Sequence, residues 1–220
     1  MALWNRARSA ARKAFSPTIL ACAMATGLIG VALTAATPAL AAPEPSPIPK
    51  RWQLEITTSP LRTAVVGNRA YFFMTYKVTN NSPQDLLFAP AFELATDEGS
   101  LLRSGRDVPI EVTREMLSRL ASPLIEDQIS IVGTLLRGPE NAKQGVVIWP
   151  VPQQHLTEVA VYCAGFSGET APVEIANPKT GQMEKKLLRK SWMMRYTFPG
   201  EFSPSSGDSF EPGESRWIMR

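Results

Sequence analysis

The chain has 220 residues, with 23 Lys and Arg against 20 Asp and Glu and a formal net charge of +3. The first 41 residues hold Arg6, Arg8, Arg12 and Lys13 and no acidic residue, so the remainder carries 19 positive and 20 negative groups. Nucleic-acid binding wants a net basic surface to neutralise phosphates, and no nucleic acid partner is expected of a chain balanced in this way.

Behind the basic N-terminus comes a mostly apolar run from Phe15 to about Ala36, closing on Ala39-Leu40-Ala41. These are the three parts of a secretory signal peptide, and residues 1–41 are read as one, with cleavage after Ala41. A cut one residue later would place Pro43 directly after the scissile bond. Ile19 to Leu33 approaches the roughly 20 apolar residues of a membrane span, so an uncleaved anchor is the alternative, although Ala, Thr and Gly dilute the run. Ile19-Leu20-Ala21 before Cys22 also faintly resembles a lipoprotein box, with too little apolar sequence ahead of it. The expected location is secreted or periplasmic in a bacterium, with no stable membrane span after cleavage. Cys22 leaves with the signal, so Cys163 remains alone and cannot form a disulfide within the chain. About 179 residues are enough for one domain held by a hydrophobic core.

Residues 42–50 follow as a linker with prolines at 43, 45, 47 and 49. Such a segment favours extended polyproline conformation and reads as a semi-rigid stalk. The domain is placed at 51–220. Its first strand is RWQLEIT, with Trp52, Leu54 and Ile56 on one face. AYFFMTYKVTN is the next, apolar on both faces in its first half and polar on one face in its second. NNSPQD is a turn, LLFAPAFELAT resumes the extended pattern with a break or sheet edge at Pro90, and TDEG is a hairpin-like reversal. In IEVTREMLSRLA, Val112, Met116, Leu117 and Leu120 form the stripe of one amphipathic helix, with Pro123 just beyond it. A strand is expected from about Ile129 to Leu136, a turn at GPENAKQG, then strands at GVVIWP and LTEVAVYCAG. A loop is expected over FSGETAPVEIANPKTGQ, then the long strand LLRKSWMMRYTF, and a last small extended piece at Arg216 to Met219. Seven to nine strands with frequent reversals predict an all-β, immunoglobulin-like β-sandwich with one short inserted helix.

YKVTNNSPQDLLFAP, GVVIWP, AGFSGE, RKSWMMRYTFPGE and RWIMR together resemble a group of uncharacterised secreted bacterial proteins with an immunoglobulin-like domain. The resemblance spans most of residues 52–220. It implies fold and export, and brings no catalytic residue with it.

The chemistry-bearing residues read as follows. AGFSGE falls one residue short of a nucleophile elbow: Glu169 stands where glycine is required after Ser167, and Pro172 and Pro178 oppose the helix the motif needs. Cys163 and His155 could pair as nucleophile and base, but alternation puts Cys163 with Val159 and Val161 on a core face, and His155 lies in a polar loop. Ser167 is expected in an open loop. The carboxylate pairs Asp97-Glu98 and Glu126-Asp127 sit in turn-like sequence without a shared site, and loop oxygens leave a structural calcium open. Lys185, Lys186, Arg189, Lys190 and Arg195 could meet an acidic partner, although charges on mixed strand faces also protect a sheet edge. Trp149, Trp192 and Trp217 would form a sugar-stacking surface if exposed together, and otherwise fill a core. These residues predict no catalytic, cofactor or metal site. The expected function is that of an exported, non-catalytic binding or structural module meeting an envelope protein or polysaccharide; a carbohydrate-binding sandwich is the alternative, and a hydrolase the third.

Overall fold

The computed structural model describes residues 43–152, 156–177, 179–198, 200, 202–204 and 207–220. The signal segment with its cleavage point, and His155, lie outside the described residues.

The described chain is all-β with a single helix, α1 (Ile110–Leu120). Six strands form a first sheet in the order β13 (Ser209–Phe210), β2 (Leu61–Val66), β3 (Arg69–Asn80), β9 (Gly138–Pro150), β7 (Ile125–Glu126), with β1 (Glu55–Thr58) also on β3. A second six-stranded sheet contains β11 (Thr170–Ala176), β12 (Met183–Thr197), β10 (Glu158–Ala164), β5 (Ala91–Thr96) and β6 (Leu101–Arg103), with β14 (Glu214–Met219) also on β12. A small two-stranded ladder joins β4 (Leu86–Phe88) to β8 (Gly133–Leu135).

Side-chain alternation explains how the two large sheets meet. Phe72, Met74, Tyr76 and Val78 of β3, with Val147 and Trp149 of β9, form one buried cluster with Phe92, Leu94, Val159, Val161, Cys163, Met194 and Tyr196 of the second sheet. The opposite parity of the first sheet would face water if α1 did not cover it. Val112 and Met116 pack on Ala64, Tyr71, Phe73, Val146 and Ile148, which is why the first half of AYFFMTYKVTN is apolar on both faces. Lys77, further along that outer parity, is exposed. The helix stops at Ala121, which takes a left-handed conformation with φ of 49° and donates its N–H to the carbonyls of Leu117 and Ser118.

Several expectations are corrected. Fourteen strand segments are present among the described residues rather than seven to nine, and five of them (β4, β6, β7, β8, β13) have only two or three residues. Ladders that short leave no alternation to read. GPENAKQG is not a turn but the start of β9, which pairs with β3 through an irregularity between Val78 and Asn80 and so accommodates Pro139. Residues 170–176 are not loop: they form β11 against β12. Among the described residues β11 has β12 as its one partner strand, and proline is tolerated on such an edge. The strand expected over 129–136 shrinks to Gly133–Leu135. Asp127 accepts backbone hydrogen bonds from Ile129 at 2.7 Å and Ser130 at 2.9 Å, which winds the preceding residues into a turn. The first strand starts at Glu55 instead of Arg51, because Trp52 to Leu54 are engaged elsewhere.

Candidate functional site: a buried ion pair that holds the N-terminal segment

The turn from β10 to β11 begins at Gly165, whose φ of +90° is open to glycine and strained for other residues. A Cβ there would also stand 2.7 Å from the carbonyl oxygen of Ala89. The turn drops Phe166 into the core and presents residues 166–168 as a partner for the chain ahead of β1. Leu54 N–H donates to the Phe166 carbonyl at 2.8 Å, Gly168 N–H donates to the Trp52 carbonyl at 3.0 Å, and Gln53 bridges Ser167. Gly168 lets the Trp52 indole lie against it, since a Cβ at that position would be 2.7 Å from Nε1.

The next residue, Glu169, is buried, and so is Lys190 opposite it on β12. Their backbones meet first, with Lys190 N–H donating to the Glu169 carbonyl at 3.0 Å. Their side chains then form an ion pair, Nζ to Oε2, at 3.2 Å, with exposures of 2% for Lys190 and 8% for Glu169. Such a pair is stable only if the remaining lone pairs and protons are satisfied. Ser46 satisfies both ions with its backbone: its N–H donates to Glu169 Oε1 at 2.9 Å, and its carbonyl accepts from Lys190 Nζ at 2.8 Å. Lys190 Nζ also lies 5.4 Å from the centroid of the Trp217 ring, a cation–π contact.

The sequence of the segment fits this grip. Ser46 stands between Pro45 and Pro47, so it keeps the N–H that its proline neighbours lack. A residue before proline is pushed toward extended conformations. The two ions therefore grip main-chain groups, and the segment read as a semi-rigid linker is fastened to the domain at Ser46. Burial by itself would raise the Glu169 carboxyl. The hydrogen bonds from Ser46 and the charge and hydrogen bond of Lys190 outweigh it and hold the carboxyl below the usual range.

The anticipated site residues are dispersed. Cys163 is fully buried in the core, and burial raises its thiol well above the ordinary value, which keeps it protonated. Ser167 is not in an open loop: it is 9% exposed, and its Oγ accepts the Glu169 N–H at 3.2 Å. Asp97 accepts hydrogen bonds from the Thr157 hydroxyl, the Thr157 N–H and the Glu158 N–H, which tie the β5–β6 turn to the start of β10. Asp127 organises the turn described above, and Glu126 lies 4.0 Å from Lys143. No group of three or more His, Cys, Asp and Glu stands ready to hold a metal among the described residues. In the basic group, Lys185 faces Glu174 at 3.9 Å, Lys186 faces Glu184 at 3.4 Å, and Arg195 lies 3.5 Å from Glu158 and 3.6 Å from Glu214. Trp149 is buried in the core, while Trp192 and Trp217 form a half-buried edge-to-face pair 5.3 Å apart.

Sequence reasoning overlooked Glu169 and Ser46 as partners of Lys190. One signal was available: Lys190 shares parity with Trp192, Met194 and Tyr196, so a charge stood on the core face of a strand. Comparison of the chain with protein-family models, with curated proteins and with solved structures returned no match.

Proposed function

We propose that the chain is an exported, non-catalytic binding or structural module of the cell envelope, built as one immunoglobulin-like β-sandwich behind a cleavable signal segment at residues 1–41. The observation that carries this reading is the grip of Glu169 and Lys190 on the backbone of Ser46. A buried charge pair that holds main-chain groups of Ser46 fits a scaffold that fixes its own tether and presents its sheets to a partner. Two further facts support it over hydrolysis. The Cys163 thiol is enclosed by core, and the Ser167 hydroxyl is engaged with the backbone of Glu169.

The carbohydrate reading keeps one supporting observation, the half-buried Trp192–Trp217 pair. Its interplanar angle of 63° turns one ring edge-on to the other, whereas sugar stacking uses a flat ring face.

The test is a pull-down of the purified protein against envelope extract, with purified glycans in parallel. A discrete envelope protein retained at stoichiometric level is the expected result. Retention of glycans alone transfers the function to the carbohydrate reading. Turnover of ester or amide substrates that disappears in Ser167→Ala or Cys163→Ala overturns the non-catalytic reading.

A further inference from the structure

β14 is the last strand of the second sheet and, among the described residues, has a single partner strand, β12. Its hydrogen-bonding direction follows from one pair. Arg189 and Arg220 exchange both backbone bonds, at 2.7 and 3.0 Å, so they are a hydrogen-bonded pair of the antiparallel ladder. Such pairs alternate with pairs whose backbone groups point away from each other. With the register Lys190↔Met219, Trp192↔Trp217 and Met194↔Ser215, it is Met219, Trp217 and Ser215 that turn their N–H and C=O groups outward. The Lys190 N–H confirms the alternation, since it bonds away from β14 to Glu169.

That outward edge has the features of an open template. Ser215 is exposed, Trp217 is half-buried and Met219 is buried, so the edge is most open at its Ser215 end. The edge strand β11 carries Pro172 within it, a common guard against pairing, whereas β14 contains no proline. The stretch ESRWIMR is also self-complementary when it is reversed on itself. An antiparallel pairing centred on Trp217 sets Trp217 against its own copy and Ser215 against Met219, so all three outward residues of each strand bond. On the other face it sets Glu214 opposite Arg220 and Arg216 opposite Ile218.

We propose that β14 pairs with β14 of a second copy of this chain, fusing two second sheets into one continuous sheet across a twofold axis at Trp217. A twofold contact uses the same patch on both subunits, which is what a self-complementary strand supplies. Cross-strand neighbours in a hydrogen-bonded pair lie about 5.5 Å apart at Cα, so the two Trp217 rings cover each other. Glu214 keeps its own partners, Arg195 at 3.6 Å and Arg216 at 2.9 Å. Arg220 stays beside Glu93, which it meets at 2.7 Å. One short strand per subunit gives an interface near or below the roughly 1,200 Å² at the small end of specific contacts, so the dimer is reversible.

Sedimentation equilibrium of the purified protein over a concentration series, with amide hydrogen exchange at each end of it, tests the proposal. The expected result is a monomer–dimer equilibrium in which the amides of Ser215, Trp217 and Met219 gain protection as concentration rises. Ser215→Pro removes an outward N–H that makes no bond to β12 in this register, and should abolish dimerisation while far-ultraviolet circular dichroism stays unchanged. The second arm controls for the side chain: Ser215→Ala keeps that N–H and should dimerise as tightly as wild type. A protein that stays monomeric to its solubility limit, a dimer indifferent to Ser215→Pro, or a Ser215→Ala protein that loses the dimer overturns the proposal.

Discussion

Lys190 is among the largest fully buried side chains of the protein, and its ammonium is held by one carboxylate and one peptide carbonyl. Removing one member of such a pair leaves the other charge buried without its counterion. Lys190→Ala should therefore cost about 3 kcal/mol, measured by urea unfolding, at the low end of values for broken buried pairs because Ser46 still holds Glu169. Replacing both ions together, Glu169→Leu with Lys190→Met, should cost much less than the sum of the two single changes. Additive losses would show that the ions act independently. Cys163 supplies a second test at this scale. Its thiol should resist alkylation in the native protein and react at once in denaturant; rapid native labelling would contradict both its burial and its raised pKa.

At the scale of elements, the turn from β10 to β11 combines two demands that only glycine meets at position 165, a positive φ and a close approach to the Ala89 carbonyl. Gly165→Ala should lower stability by about 1–3 kcal/mol, read as a fall in Tm. A neutral outcome would show that the turn relaxes freely. The same turn marks where the sequence stopped being legible. The amphipathic stripe of α1, the two-sided burial of β3 and the core-facing Cys163 could all be read beforehand, because each is a periodicity within one segment. The docking of Trp52–Leu54 on residues 166–168 could not, since it joins stretches more than a hundred positions apart through backbone bonds that no side-chain pattern encodes. Pro172 misled for a related reason: a residue that breaks a central strand is harmless on an edge, and edges are defined only by the assembled sheet. For the candidate site, Lys190 could be read as a charge on a core-facing parity, but its carboxylate partner came from another element and its peptide partner from a segment read as linker.

For the molecule as a whole, several carboxyls respond to pH in one direction. Asp97 is held low mainly by the Thr157 hydroxyl, and Glu184 mainly by the Asn177 side chain. For Asp127 and Glu169, burial pushes upward but hydrogen bonds outweigh it. Each binds protons more weakly when folded than when unfolded. Their stabilisation is therefore complete above the unfolded carboxylate range near pH 4, and is lost as pH falls through the lower folded values. Tm should decline on acidification below about pH 4, and proteolysis within residues 43–50 should rise in the same window as Glu169 releases Ser46. Stability that improves between pH 5 and pH 3 would contradict this assignment. The clasp also determines how the protein meets mechanical tension. A pull on the chain ahead of Pro43 reaches Ser46 before it reaches β1, and passes through Lys190 into β12, a strand laced to β10, β11 and β14. Force that would otherwise peel β1 from β3 one bond at a time is delivered instead to the interior of the second sheet.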